Sequence, residues 1–141
     1  MLADDSGLCV DTLGGAPGVF SKRWAGNDGS GQQLDDANNT KLLAELARCD
    51  DPLRGAAYVC VAVIAQSPGD VLWARGETRG MIVREPFGSN GFGYDPYFKS
   101  AELGQTFGRA TREEKARVSH RARAVRAVCE QWMVYQRSKR Q

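Results

Sequence analysis

A single histidine in 141 residues excludes any site built from several imidazoles. The four cysteines, Cys9, Cys49, Cys60 and Cys129, form no Cys-x-x-Cys pair, so neither a zinc ligand set nor a disulfide framework is expected. Carboxylates are what remains for holding a metal, and oxygen ligands suit magnesium. Long hydrophobic runs are missing too. The most apolar stretch, Val59 to Ala65, falls far short of the ~20 residues of a membrane-spanning helix. The opening Met1-Leu2-Ala3-Asp4-Asp5 has neither the basic region nor the apolar core of a secretory signal, so a cytoplasmic location is expected. A strong charge of one sign is also absent. The formal net charge is +2, with arginines gathered after Arg109 and the acidic pairs Asp4-Asp5 and Asp35-Asp36 early. That split fits a phosphate-bearing ligand better than a nucleic-acid groove.

What is present is ordinary globular usage, 42% hydrophobic and 26% charged, without repeats or a linker. One domain over residues 1–141 is the expectation. Around Ser6-Gly7 the first segment reads as a short strand, a turn or bulge at Gly7, and a second strand through Leu8, Cys9 and Val10. Gly14-Gly15-Ala16-Pro17-Gly18 is a loop, and Phe20 to Ala25 has room for a turn or two of helix. From Asp35 or Asp36, the spacing of Ala37, Leu42, Leu43, Leu46 and Ala47 predicts a helix that only packs. Ala57 to Ala65 and Val71 to Arg79, joined through Ser67-Pro68-Gly69-Asp70, predict an antiparallel hairpin, with a third strand at Met81 to Val83. Thr111-Arg112-Glu113-Glu114 matches a capping box, and Val118, Ala122, Val125, Cys129 and Trp132 continue it at helical spacing as one long terminal helix.

Three groups of residues could carry chemistry. Asp4-Asp5-Ser6-Gly7 places paired carboxylates at a strand end, where neighbouring side chains face opposite sides and one acid is expected to enter a cleft. The alternative is a turn capped by two aspartates. Phe92-Gly93-Tyr94-Asp95 alternates aromatics and glycine before a carboxylate, a loop able to stack a base and read its edge; a turn with its rings anchored in the core competes equally. Lys115, His120 and Arg121 fall on the terminal helix, with 117, 120, 121 and 124 sharing one side, and a solvated basic face is the alternative there.

Taken in order, Ala3-Asp4-Asp5-Ser6-Gly7-Leu8, Gly14 to Gly18, Phe92 to Pro96, Glu114-Lys115 and Ser119-His120-Arg121 resemble the inosine triphosphate pyrophosphatase (Ham1-like, dITP/XTP pyrophosphatase) family. The likeness runs from Leu2 to about Trp132. It implies an α/β fold, a mixed β-sheet flanked by helices with a long C-terminal helix. It also implies a hydrolase of acid anhydrides that converts noncanonical purine nucleoside triphosphates (ITP, dITP, XTP) to monophosphate and pyrophosphate. By this resemblance Asp5 holds Mg2+ and activates water, Asp4 assists, and Ser6 contacts the nucleotide. Phe92, Gly93, Tyr94 and Asp95 form the purine platform, Lys115 touches the nucleotide, and His120 with Arg121 reads the 6-keto group. A homodimer is implied as well. The family's opening strand, Ser/Thr-x-Asn-x-x-Lys phosphate loop, helix and metal-sharing glutamate find no match in these residues, so an N-terminally truncated domain is expected. A catalytically impaired remnant that only binds purine nucleotides is the alternative reading.

Overall fold

β-branched and small apolar residues dominate the two long strands, and their alternation decides which face of the sheet becomes buried. The computed structural model describes residues 1–26 and 29–141. β1 (Leu2–Val10), β2 (Gly55–Ser67), β3 (Asp70–Ile82) and β4 (Phe98–Ser100) form one sheet in the order β1-β2-β3-β4. The expected sheet with helices is present, and all three pairings among the described residues are antiparallel. Three α-helices follow the chain: α1 (Gln32–Ala47), α2 (Arg112–Val118) and α3 (His120–Lys139).

The β1–β2 register sets Leu8 opposite Tyr58, Ser6 opposite Cys60 and Asp4 opposite Ala62. These residues share one face, which is buried at Leu8, Tyr58, Cys60 and Ala62 and opens to solvent at Asp4. Toward one end, Leu8, Val10 and Tyr58 pack with Leu42 and Leu46 of α1, Phe98, Phe107 and Val118. Toward the other, Cys60, Ala62 and Ala74 pack with Ala124 and Val128 of α3. Each such apolar side chain removed from water contributes roughly 1.5–3 kcal/mol. On the opposite face Val61, Val71 and Trp73 are exposed, Trp73 to 62%.

Four local expectations are corrected. β1 does not turn at Gly7; it runs unbroken with Gly7 paired to Val59. The glycine is needed for approach, because a Cβ there would run into the Gly18 carbonyl. That closeness lets the 3-10 segment Gly18–Arg23 lie against β1, with Ser21 Oγ accepting from Leu8 N at 2.8 Å. The separate strand at Met81 to Val83 is instead the end of β3, and the short β4 pairs with it there. α1 starts at Gln32, ahead of the aspartates. The terminal helix is two helices: the capping box is formed, with Thr111 Oγ1 accepting from Glu114 N and Glu114 Oε2 from Thr111 N. The chain then turns extended at Ser119 (ψ 143°), whose Oγ caps α3 by accepting from Ala122 N.

α3 is bound tightly to the hairpin. Tyr135 Oη donates to Asp70 at 2.6 Å and Arg123 donates to the Glu77 carbonyl at 2.9 Å. Between these, Gly76 of β3 has no room for a side chain, since a Cβ would meet the His120 carbonyl and the Ala124 amide. Gly76→Ala is therefore expected to lower unfolding free energy by about 1–3 kcal/mol, through forced separation of helix and strand. Urea titration checks this, and an unchanged midpoint would count against the packing described.

Candidate functional site

The buried face of β1 and β2, the Asn90–Pro96 loop and the α2–α3 junction converge on one cluster of polar side chains. Asp4 projects from β1 toward α3 and forms an ion pair with Arg121 Nε at 2.6 Å. The Cys60 thiol donates to the same carboxylate oxygen, 3.7 Å from Asp4 Oδ2. Burial pushes the Cys60 thiol up, so it stays protonated. Two residues along from Asp4 on the same face, Ser6 Oγ is buried with no hydrogen-bond partner. Asp5 is one residue out of phase. It pairs with Val61, belongs to the opposite face and is exposed.

Lys115 and Asp95 make the second part. Asp95 is 2% exposed, a costly position for a carboxylate unless donors surround it. Its Oδ2 accepts from Lys115 Nζ at 2.6 Å and from the Phe92 amide at 3.1 Å, and its Oδ1 accepts from Tyr58 Oη at 3.0 Å. The carboxylate is thus engaged inside the protein and faces no open edge. Lys115 Nζ lies 4.9 Å from the Phe92 ring centroid and 5.3 Å from that of Phe107, in cation–π range of both. Phe92 itself is 70% exposed, so a flat apolar ring is offered to solvent beside a fixed ammonium. Tyr94 is buried and donates to the Ser21 carbonyl at 2.6 Å, and Gly93 is clamped from α1. Asp35 Oδ2 accepts from Gly93 N at 2.8 Å, and Asn39 Nδ2 donates to Gly93 O at 3.0 Å.

His120 completes the cluster. Its ring stacks on Tyr58, centroids 5.0 Å apart and planes 15° from parallel, and its Nδ1 is buried without a partner. Burial first, then the nearby charges of Lys115 and Arg121, push its pKa down to about 4. The imidazole is neutral at neutral pH, with one nitrogen a donor and the other an acceptor.

Among the sequence-predicted residues, the structure brings Asp4, Ser6, Lys115, His120 and Arg121 around one face, with Phe92 on the loop that Asp95 holds. Asp5 stays on the other side of the strand. Sequence reasoning missed Tyr58, which reads as plain buried strand. It also missed Asp35 and Asn39, on a helix expected only to pack. α1 and the loop enclose a cavity of about 390 Å3 lined by Asp35, Asn39, Thr40, Phe92 and Tyr97 among others. The signal available for α1 was its amide and acid content at buried helical positions, Asn38 and Asn39 being nearly inaccessible.

Among the described residues no group of three or more His, Cys, Asp or Glu could hold a metal ion. A closed protein cage is thereby absent from that part of the chain. A magnesium ion carried largely by waters and ligand phosphates needs only one or two carboxylates; Asp5 is exposed, on the face of β1 opposite the cluster. Asp4 is already committed to Arg121.

The neutral His120 makes stability depend on pH. Its pKa is lowered from 6.5 to about 4 on folding, so the unfolded chain binds more protons between those values. Stability is full above about pH 6.5 and falls as pH drops through the window, by up to roughly 3 kcal/mol at pH 4. In urea titrations from pH 7 to pH 4.5 the wild type should lose this component and His120→Gln should not. Equal slopes in the two proteins would overturn the assignment.

The Ham1 family model matches residues 1–131. A dITP/XTP pyrophosphatase of Streptomyces coelicolor is 45% identical over 127 residues, 90% of this chain and 62% of that relative. One from Exiguobacterium sibiricum is 48% identical over 128 residues, 91% of this chain and 63% of the relative. The chain spans under two thirds of the length of these curated relatives. Among solved structures, a HAM1 protein from Coxiella burnetii superposes with a TM-score of 0.85 at 38% identity, covering 94% of this chain and 66% of that one. A nucleoside-triphosphatase described as a dITP/XTP pyrophosphatase from Mycobacterium abscessus gives 0.74 at 45% identity, covering 89% and 64%. With the family model matched over residues 1–131 and relatives 45% and 48% identical over 90% and 91% of its length, the chain belongs to the Ham1 family.

Proposed function

We propose that this chain is a Ham1-type domain that hydrolyses noncanonical purine nucleoside triphosphates, ITP, dITP or XTP, to the monophosphate and pyrophosphate. The observation that carries this reading is that two of the five buried side-chain polar atoms without partners among the described residues, Ser6 Oγ and His120 Nδ1, fall in one cluster with a fixed ammonium, a guanidinium and an exposed aromatic ring. Buried polar groups ordinarily find a partner, and a nucleotide supplies oxygens and ring nitrogens to both. The printed names of the relatives, dITP/XTP pyrophosphatase, point the same way.

In this reading the purine stacks on the open face of Phe92, with Lys115 beneath the ring edge near the ligand's negative charge. His120 and Arg121 present donors to a 6-keto oxygen. Adenine places its own amino donors against them, which disfavours ATP. Asp4 positions Arg121 through their ion pair, and Ser6 Oγ contacts the nucleotide. Asp5 lies across the edge strand β1 from the base pocket, so it would hold Mg2+ for phosphates that extend past that edge, where the ion supplies charge neutralisation and makes a water easier to deprotonate. The exposed apolar residues Val61, Val71 and Trp73 on the outer sheet face support self-association as a homodimer. No described helix is long and apolar enough to cross a membrane, and a cytoplasmic setting, where nucleotide pools reside, accords with the substrate class.

The test is pyrophosphate release by the purified chain from ITP, with ATP as control, in Mg2+ and then in EDTA. Release that is selective for ITP and abolished by EDTA is expected. Asp5→Asn should lower turnover by about 10²–10³-fold or more with the fold intact by circular dichroism, as expected for loss of a charged group acting on the reacting phosphates. Arg121→Ala should narrow the gap between ITP and ATP. Full turnover in Asp5→Asn would refute its role, and selective ITP binding without release would replace hydrolysis by a binding function.

A further inference from the structure

Tyr58 lies near the start of β2, in a run of small and β-branched residues, yet it touches both arms of the pocket. Its Oη donates to Asp95 Oδ1 at 3.0 Å, and its ring lies nearly parallel to His120 at 5.0 Å. The remaining ring contacts are with Phe98 at 4.6 Å and Phe107 at 5.8 Å. Burial holds its phenol in the protonated form, with the Asp95 charge adding to the effect, so the hydroxyl is a donor at every relevant pH. A phenylalanine would fill the same space between Phe98 and Phe107. What the hydroxyl adds is a grip on one oxygen of the Asp95 carboxylate.

The other Asp95 oxygen is the one that organises the stacking shelf. It accepts from the Lys115 ammonium and from the Phe92 amide. Rotation of the carboxylate would move both together, since Lys115 is also seated over the rings of Phe92 and Phe107. On its other side, Tyr58 sets the height of the imidazole by face-to-face contact. One side chain therefore fixes the distance between the ring on which a base would stack and the group that would read its edge.

We infer that Tyr58 is the positioning residue for purine selectivity in this pocket, holding the Lys115–Phe92 shelf and the His120 ring in the relative placement that a 6-keto purine requires. The inference rests on the base-pocket reading given under Proposed function. Tyr58 touches no reacting atom; it acts through Asp95 and His120. Losing its hydroxyl loosens the shelf, and losing its ring frees the imidazole.

His120 is the sole histidine of the chain, so its ring resonances in a proton–carbon NMR spectrum are unambiguous. The full 141-residue chain in EDTA, where ITP is not expected to be hydrolysed, is titrated with ITP and, separately, with ATP, and binding is followed both calorimetrically and at His120. In the wild type, ITP should shift the His120 signals and ATP should shift them less. Tyr58→Phe keeps the stack but loses the hydrogen bond to a charged acceptor, and should bind ITP about tenfold more weakly, with the ITP-to-ATP preference reduced. Tyr58→Leu should in addition move the free-state His120 signals downfield as the ring current is lost. If that larger change prevents folding, Tyr58→Phe alone carries the test. A folded Tyr58→Phe with wild-type ITP affinity and preference overturns the positioning role while leaving the pocket reading standing. Absence of any ITP-induced shift at His120 in the wild type overturns both.

Discussion

The Asp95 carboxylate, closed off from solvent among aromatic rings, is the constraint on which the rest of this site depends. A buried charge of that kind persists only when its lone pairs are met by donors of good geometry. The chain supplies them from three places: the hydroxyl of Tyr58 in β2, the ammonium of Lys115 in α2, and the amide of Phe92 in its own loop. Sheet, helix and loop are thereby tied at one point. Withdrawal of the charged partner, Lys115, from such a buried pair typically costs about 3–5 kcal/mol, and so the loop that offers Phe92 to solvent is not free to drift. α1 reinforces the same loop from the other side through Asp35 and Asn39 on Gly93. An exposed aromatic ring is thus held from both sides by buried polar contacts, an arrangement that serves stacking better than it serves a core.

β1 imposes the second constraint, through the twofold alternation of a strand. Asp4 and Ser6 share the face that meets α3, and Asp5 takes the other. The two adjacent carboxylates are therefore divided between tasks by geometry alone. Asp4 is neutralised by Arg121 at 2.6 Å, which places a guanidinium where a ligand bearing oxygen acceptors can meet it. Asp5 remains exposed and chemically free. Two acids side by side in the sequence look like a chelating pair, but an extended backbone makes them neighbours in number only.

This alternation also explains what could and could not be read beforehand. The hairpin of β2 and β3 and the capping box at Thr111 are local signals, written in β-branched runs and in residue types at fixed spacing, and both are present in the structure. Gly7 misled because glycine has two uses. A turn needs its backbone freedom, and a close approach needs its missing side chain; only the tertiary neighbour, the Gly18 carbonyl, distinguishes them. β4 is three residues long, too short to show any period. Tyr58 carries no local mark at all, since its role comes from partners 37 and 62 positions away in Asp95 and His120. The candidates Asp4, Ser6, Phe92, Lys115, His120 and Arg121 were singled out because several motifs in order pointed to one family, whereas their mutual contacts could not be read from those motifs.

The break at Ser119 shows how a small backbone event sets the chemistry of the cluster. A continuous helix would carry Lys115 and His120 on a fixed 100° per residue, placing Arg117 on the same side as His120 and Arg121. Instead Ser119 turns extended and caps a new helix, so Lys115 belongs to one helix while His120 opens the next. Arg117 is left exposed, and the residues that face the pocket are Lys115, His120 and Arg121. Two fixed positive charges then flank a buried imidazole, and together with burial they keep it neutral. A neutral ring cannot attract phosphate by charge. It offers one donor and one acceptor in fixed directions, so in the proposed reading recognition at His120 would come from the pattern of hydrogen-bonding groups on the ligand's edge, and the attraction for its charge would fall to Lys115 and Arg121.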